Sequence, residues 1–584
     1  MTTEHSQANP PQGAALRPAT TVPKWFRRLA TFTALGSWLL LIILTFVVWS
    51  FRAPPDGSSL ALPLFIGEVV IAALTLIFCR TWFSKLTHKA YCLFSSRFGL
   101  PSLLLIIALL FALILPGWMR SGTPVLQPHG RRVAIIGAGT AGLHAAWMLD
   151  HAGIDFVLYE AADYIGGHAY APVFTPEQGQ PFACDVGFIF GSPTDYQEMK
   201  ALMNWYGVER NQSQLSLSGQ VDGVKWATGP NVGEEAQRFQ RLAELQHKDP
   251  KWNLVPFGFW LNLNGFDQAF RDQYITPLMS VLFITDLGLY EVSTRFMLNM
   301  AAGRIQWVDF TQGAPAWTVK GGSSLYYERL SQGFSDRIRL KTPVSKLKRA
   351  DGKVHLQAIN TDGKRISETF DDVILAVPAD VASALVADKD WLESFVLDQV
   401  RYQDAEVVLH TDESFLPEEK YLRHYNYFQD RKTSGNEFEL TGIMNWVHGA
   451  GEMSPRPIGT LNPLHPIDPA KIIQRRGWRH HSMDLWHLAL MLEVMPKLQG
   501  RGGVWYAGDW VTVIGHGPAM RTGMAAACNV GAKGLVRKAP ADARCIDVRV
   551  EEERAGLAAV DVHLCGEEEI FSYVVERTCN GFKL

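Results

Sequence analysis

Cysteine is scarce in this chain: seven in 584 residues, with no CxxC pair and no metal-ligand spacing. That pattern excludes a zinc module and a dense disulfide framework, and no metal site is expected. Cys545, Cys565 and Cys579 near the C-terminus could pair in an oxidising compartment or stand as isolated thiols. Net charge is scarce too. The 55 basic and 58 acidic residues leave only −3, so no long-range field points to nucleic acid or another polyanion as a partner. Charged residues make up 19% of the chain against 47% hydrophobic, and the apolar excess is concentrated near the N-terminus.

A polar tail (1–28) precedes three long apolar runs, about Leu29 to Ser50, Leu60 to Cys79 and Leu100 to Met119. Each approaches the roughly 20 residues that cross a hydrocarbon core of about 30 Å. The middle run carries Pro63 and Glu68 and is the least suited of the three. Trp25, Trp49, Trp82 and Trp118 lie at or near the ends, where interfacial aromatics are favoured. The sequence thus predicts a multi-pass integral membrane protein, with two or three transmembrane helices over 29–120 and the lipid bilayer as a partner. Basic residues cluster before the first run and between the second and third, which places both segments on the cytoplasmic side. Three spans, the preferred count, put everything after Arg120 on the opposite side; two leave it cytoplasmic.

Beyond a short linker, RRVAII reads as a buried strand feeding GAGTAGLHAAWML (137–149), and a second strand, DFVLYE, ends at Glu160. Each part has a physical task in holding a dinucleotide. Gly137 permits a tight turn, Gly139 lets a pyrophosphate approach the backbone, and Gly142 allows helix to pack closely on strand. Ala138, Thr140 and Ala141 complete the loop, whose helix N-terminus offers free N–H groups to phosphate. Glu160 can accept hydrogen bonds from the adenosine ribose. AADYIGGHAY follows at once, with a glycine pair at Gly166 and Gly167 and then His168. More than 300 residues later, VWYAGDWVTVIGHGPAMRTGMAAACNVG reads as a strand ending at Gly508-Asp509 and a small-residue helix from about Pro518.

This order of motifs resembles the flavin-containing amine oxidase superfamily, and the resemblance implies FAD, held non-covalently. AWTVKGGSSLYYERL and the β-meander KTPVSKLKRADGKVHLQA…DDVILAVPAD agree with it. By resemblance, Val344 passes the adenine through its backbone. Gly508, Asp509 and Met520 belong to the C-terminal strand and helix that hold the distant half of the cofactor. No second GxGxxG follows a strand, so no separate NADPH domain is expected. Within the superfamily, the chain is most similar to predicted NAD/FAD-binding amine-oxidase-like oxidoreductases, some associated with fatty-acyl modification. It departs from the family in two places. His168 stands where many members have Arg, and Gly517-Pro518 follow His516 where acidic residues are usual.

The expected fold class is α/β: a Rossmann-type FAD-binding domain interleaved with an α+β substrate domain, preceded by the N-terminal transmembrane helical region. The cofactor pieces are 131–200, 318–385 and 498–537. The inserts 200–317, helical in pattern, and 386–497, strand-rich, form the substrate domain; 538–584 is an extension without a readable role. Polar candidates near the chemistry are His516, Asn426, Asn445 and His480-His481, with His516 the one placed by motif. The implied activity is hydride transfer from an apolar, lipid or fatty-acyl substrate to flavin, as a dehydrogenase, desaturase or double-bond isomerase, with the electron acceptor open. The alternatives are a flavin amine oxidase and a non-catalytic flavin-binding membrane protein.

Overall fold

RVAII is apolar and β-branched at its centre, and in the computed structural model it forms the middle of a five-stranded parallel sheet. The structure describes residues 130–193, 195–227, 233–283, 290–302 and 313–531, and two further strands, Asp547–Arg554 and Leu557–His563. The predicted tail, membrane runs and most of the C-terminal extension lie outside them. Among the described residues, no helix is long and apolar enough to cross a membrane.

Strand β1 (Arg132–Ile136) pairs in parallel with β2 (Asp155–Tyr159) on one side and β4 (Asp372–Leu375) on the other. The short strand β3 (Ile338–Arg339) extends the β2 edge, and β5 (Val504–Tyr506) extends the β4 edge. Helix α1 (Thr140–His151) is buried along nearly its whole length, as expected for an element covered on every side. Helix α2 (His516–Val530) packs across it. A Cβ at Gly523 would lie 2.0 Å from the Ala141 carbonyl oxygen, so the two backbones touch where no side chain fits. The predicted meander is present as three antiparallel strands, Val344–Ala350, Lys353–Ile359 and Arg365–Phe370.

The second layer is a seven-stranded sheet running in the order Ile472–His481, Tyr402–His410, Ile458–Leu461, Glu439–Ile443, Tyr425–Gln429, Leu217–Val221, Val224–Ala227. Its last two strands come from the insert that reads as helical in sequence. The parallel pairing of Leu217–Val221 with Tyr425–Gln429 joins segments about 200 residues apart. A further strand of that insert, Arg210–Leu215, pairs antiparallel with Ala314–Val319, and its other described elements are helical. Gly233–Gln246, Phe257–Leu263, Thr276–Phe283 and Thr294–Ala301 gather around Phe239, which meets Phe257, Trp260, Phe266, Phe270 and Tyr274 at 5.9–6.3 Å between ring centroids. Such edge-on rings add about 0.5–1.5 kcal/mol per pair to their burial.

Overpacking a backbone contact costs about 1–3 kcal/mol or more. Gly523→Val is therefore expected to lower the thermal unfolding temperature by several degrees. Gly477→Ala, whose Cβ would meet nothing within 4 Å, should leave it unchanged. Equal melting temperatures would contradict the close helix contact.

Candidate functional site

Three glycines after β1 do different work. Gly137 has φ +100°, and a Cβ there would lie 2.4 Å from the Ala376 carbonyl oxygen. At Gly142 the Cβ would lie 1.9 Å from the Gly137 carbonyl oxygen. Both positions are closed to side chains by the protein itself. Gly139 is not: its nearest neighbour would be the Gly167 Cα at 4.0 Å, so a side chain there would project into open space. That space lies at the start of α1, where no side chain caps the free amides. Such a terminus favours an anion through its unpaired N–H groups and its positive end.

The diglycine loop forms the facing wall. The Gly166 amide donates to the Ala138 carbonyl (2.8 Å), and Gly166 and Gly167 have φ of +105° and +60°. Glu160, at the end of β2, accepts from the amides of Ala138 (2.6 Å) and Ala162 (2.8 Å). Its carboxylate thus ties the two loops together beside the expected ribose position. Val344 opens the first meander strand, away from the cavity described next. Met520 is wholly buried in the core of the nucleotide half; its side chain does not line the site.

Helix α2 brings the third wall. Gly508 (φ +133°) and Gly515 (φ +134°) flank Asp509, whose Oδ2 receives the Gly515 amide at 3.5 Å. The first turns of α1 and α2 meet at a polar triangle. Thr140 Oγ1 lies 2.9 Å from His516 Nε2 and 2.7 Å from Tyr327 Oη, and Tyr327 also bonds His516. The His516 ring stacks on Phe188 at 4.0 Å. Burial, with His144 and His168 nearby, holds His516 well below its ordinary pKa, so it stands neutral.

These walls enclose one end of a cavity of about 290 Å³. Beyond Phe188 the lining becomes apolar, with Phe190, Val407, Leu440, Met444 and Leu461 from the diglycine-side loop, the seven-stranded sheet and the short helix Met444–Val447. Asp185, fully buried on this lining, accepts from the Ser323 amide (2.9 Å) and hydroxyl (2.5 Å). Burial lifts it to about 7 and depresses its neighbour His448 to about 4. His448 Nε2 accepts from the Asp185 amide (3.3 Å), so the two side chains do not form an ion pair at neutral pH.

The other polar candidates separate. Asn426 is structural, bonded to Ser218, Arg423 and Thr441. Asn445 donates to the Gly451 carbonyl outside the cavity. His480 lines the cavity, and His481 stands behind it with Nδ1 3.7 Å from Asp509. Sequence reasoning missed Asp185, Phe188, Phe190, Tyr402 and Tyr425. The only sequence signal for the first three is the apolar run DVGFIFG held between glycines.

Free amides, an open Gly139, Glu160 and a long cavity with an apolar end fit a flavin dinucleotide. The model of the flavin-containing amine oxidoreductase family matches residues 140–445. Flavin-containing amine oxidase A of Canis lupus familiaris is 23% identical over 258 residues, covering 40% of this chain and 48% of that protein. Amine oxidase B of Cavia porcellus is 22% identical over 254 residues, covering 39% and 47%. The chain thus spans about half the length of these relatives. Among solved structures, a CLA-producing fatty acid isomerase from P. acnes superposes with a TM-score of 0.51 at 20% identity, covering 68% of this chain and 97% of that one. Wild-type putrescine oxidase bound to putrescine gives 0.50 at 16%, covering 68% and 98%. At such identities these likenesses establish the fold.

Gly139→Val should fold with an unchanged circular dichroism spectrum yet retain no flavin, whereas Gly142→Val should fail to fold. Equal flavin content in wild type and Gly139→Val would refute the cradle. Asp185 gives a second test. Its folded pKa, about 7, lies above the ordinary 3.8, so its contribution to stability is complete below about pH 4 and is lost as pH rises through 7. Asp185→Asn keeps an acceptor for Ser323 and should gain thermal stability relative to wild type between about pH 5 and about pH 8. A pH-independent difference in melting temperature would exclude a buried, titrating Asp185.

Proposed function

Since the chain belongs to the flavin-containing amine oxidoreductase family, we propose that it is a membrane-anchored FAD-dependent oxidoreductase acting on an apolar, lipid or fatty-acyl substrate. When bound, FAD supplies a hydride acceptor, and the protein's share is to hold it, orient a C–H bond towards it and exclude water. The observation that carries the substrate class is the continuity of one cavity from the phosphate cradle to a wall of Phe190, Val407, Leu440, Met444 and Leu461. That wall suits an acyl chain and offers no fixed counter-charge to a cation. Asp185, the carboxyl group on the lining nearest to it in sequence, is raised to about 7 and already engaged by Ser323.

Residue roles follow from position. Gly139, Thr140 and Ala141 offer amides to the pyrophosphate, Glu160 receives the ribose, and the start of α2 faces the flavin end. His516 orders the contact between the two helix starts through Thr140 and Tyr327. No side chain is needed as a nucleophile, and FAD is held without a covalent tether. The fatty acid isomerase among the structural neighbours supports double-bond isomerisation beside dehydrogenation. The amine oxidase reading draws on the family and on the aromatic faces of Phe190 and Tyr425, 6.1 Å apart. Anchoring is supported by the apolar runs before Arg120.

The test is to purify the full chain from a carbonate-resistant membrane fraction and record its visible spectrum. Fatty-acyl lipids and simple amines are then added without oxygen. Flavin bands that bleach, or a shifted double bond in the recovered lipid, are expected with acyl substrates only; bleaching by amines alone would overturn the lipid reading. Leu440→Gln should keep the flavin bands and lose about tenfold or more in kcat/KM for acyl substrates, as expected for a mismatched apolar contact.

A further inference from the structure

A bound pyrophosphate brings two negative charges into this cavity, yet the described residues lining it include a single Lys or Arg. That residue is Arg479, which is stacked on Tyr402 and paired with Asp380 (2.8 Å) and Asp404 (3.3 Å). In the resembling family a fixed Arg follows the glycine pair; here His168 does. The His168 ring is fixed between two neighbours, stacked on Trp478 at 4.5 Å and edge-on to His480 at 5.2 Å. Trp478 is itself held by its indole N–H donating to the Val186 carbonyl at 2.6 Å. His168 and His480 both line the cavity with Gly139, Thr140 and Asp509. His168 Nε2 and His480 Nδ1 are buried without any hydrogen-bond partner, and His480 is only 9% exposed. An orphaned buried polar atom costs about 1–3 kcal/mol, and these two, unlike the unpaired ring nitrogens of His487, belong to residues that line the cavity.

We propose that the His168–His480 pair takes up one proton when FAD binds, supplying on demand the positive charge that a fixed arginine supplies in related chains. The proposal rests on the flavin reading above and adds His480, from the substrate sheet, to the cofactor site. In the empty protein burial keeps both rings neutral: His168 is lowered by burial against the opposing pull of Asp509, and His480 is lowered further by His168 and His481. The other charged or titratable groups facing the pair are His516 across the cavity, Arg479 beside His480, Tyr402 against His481, and Arg476 on the outer side of Trp478. An arriving dianion favours the protonated form, and two imidazoles this close accept one proton rather than two. The sign follows. The pair's pKa is higher with FAD than without, so binding is tightest at low pH and weakens by up to about tenfold per pH unit as pH rises through the bound-state value.

The experiment titrates FAD into flavin-stripped full-length protein in detergent from about pH 6 to about pH 8.5, following flavin fluorescence. Calorimetry in buffers of different ionisation enthalpy counts the protons. Wild type is expected to show Kd rising with pH and an uptake approaching one proton. His168→Arg should bind with little pH dependence and more tightly than wild type at the alkaline end. His168→Gln/His480→Gln should bind weakly at every pH without proton uptake, and Asp509→Asn, which removes the opposing pull on His168, should move the uptake to lower pH without abolishing it. A wild-type Kd that ignores pH, a slope that survives in both histidine variants, or an uptake abolished by Asp509→Asn would each overturn the assignment. Failure to bind FAD at any pH would instead overturn the flavin reading itself, and the pair with it.

Discussion

The architecture depends on three places where backbone meets backbone with no room for a side chain. A Cβ would lie 1.9 Å from a carbonyl oxygen at Gly142, 2.0 Å at Gly523 and 2.4 Å at Gly137. The first and last lock the turn between β1 and α1, and the middle one lets α2 lie directly on α1. Together they bring the first turns of two helices to the same point, where Thr140 and His516 hydrogen-bond. The free amides of α1 and the positive ends of both helices therefore serve one volume. Remove any one contact and the phosphate end of the site has no fixed geometry, whatever becomes of the polar side chains.

Electrostatics follow from that burial. An isolated charge in such a place costs several kcal/mol, so burial pushes the carboxyl and imidazole groups around the cavity towards their neutral forms. Asp185 sits near 7 and Asp509 is raised, while His168, His480, His481 and His516 are all lowered, with burial the largest cause for each. A cavity with little fixed charge can take a dianionic cofactor at one end, through amides and an acquired proton. At the other end it can take an uncharged chain through Leu440, Met444 and Leu461. A permanent arginine would serve the first task and spoil the second, because its field would extend along a lining that has little water to screen it.

Much of the nucleotide half was legible in the sequence, since its signals are local. A β-branched run, glycines at fixed offsets, a small-residue helix and an acidic strand end each have a backbone reason. The meander turns at Asp351 and Asp362 were legible likewise, with Asp351 and the following glycine at positive φ. What escaped were pairings between distant segments. Leu217–Val221 joins Tyr425–Gln429 in parallel, and no short-range pattern announces that partner. The remaining cavity lining was hidden for the same reason: Phe188, Tyr402 and Tyr425 look like ordinary core residues until the fold brings them to one cavity. Met520, on the C-terminal helix, turns its side chain into the core of the nucleotide half.

The strand Ile472–His481 explains how the two halves act as one site. It lies at the edge of the seven-stranded sheet, and its alternation divides its work between two faces. Trp478 and His480 point inward, one clamping His168 and the other entering the cavity. Arg479 between them reaches Asp380, in the segment that follows β4. A single extended segment thus grips the nucleotide half from both of its faces. A shift of one residue in its register would exchange these sets, turning His480 out of the cavity and Trp478 away from His168. The register of this edge strand against Tyr402–His410, a pairing that runs nearly its whole length, is therefore part of the cofactor site, although almost none of the strand lines it.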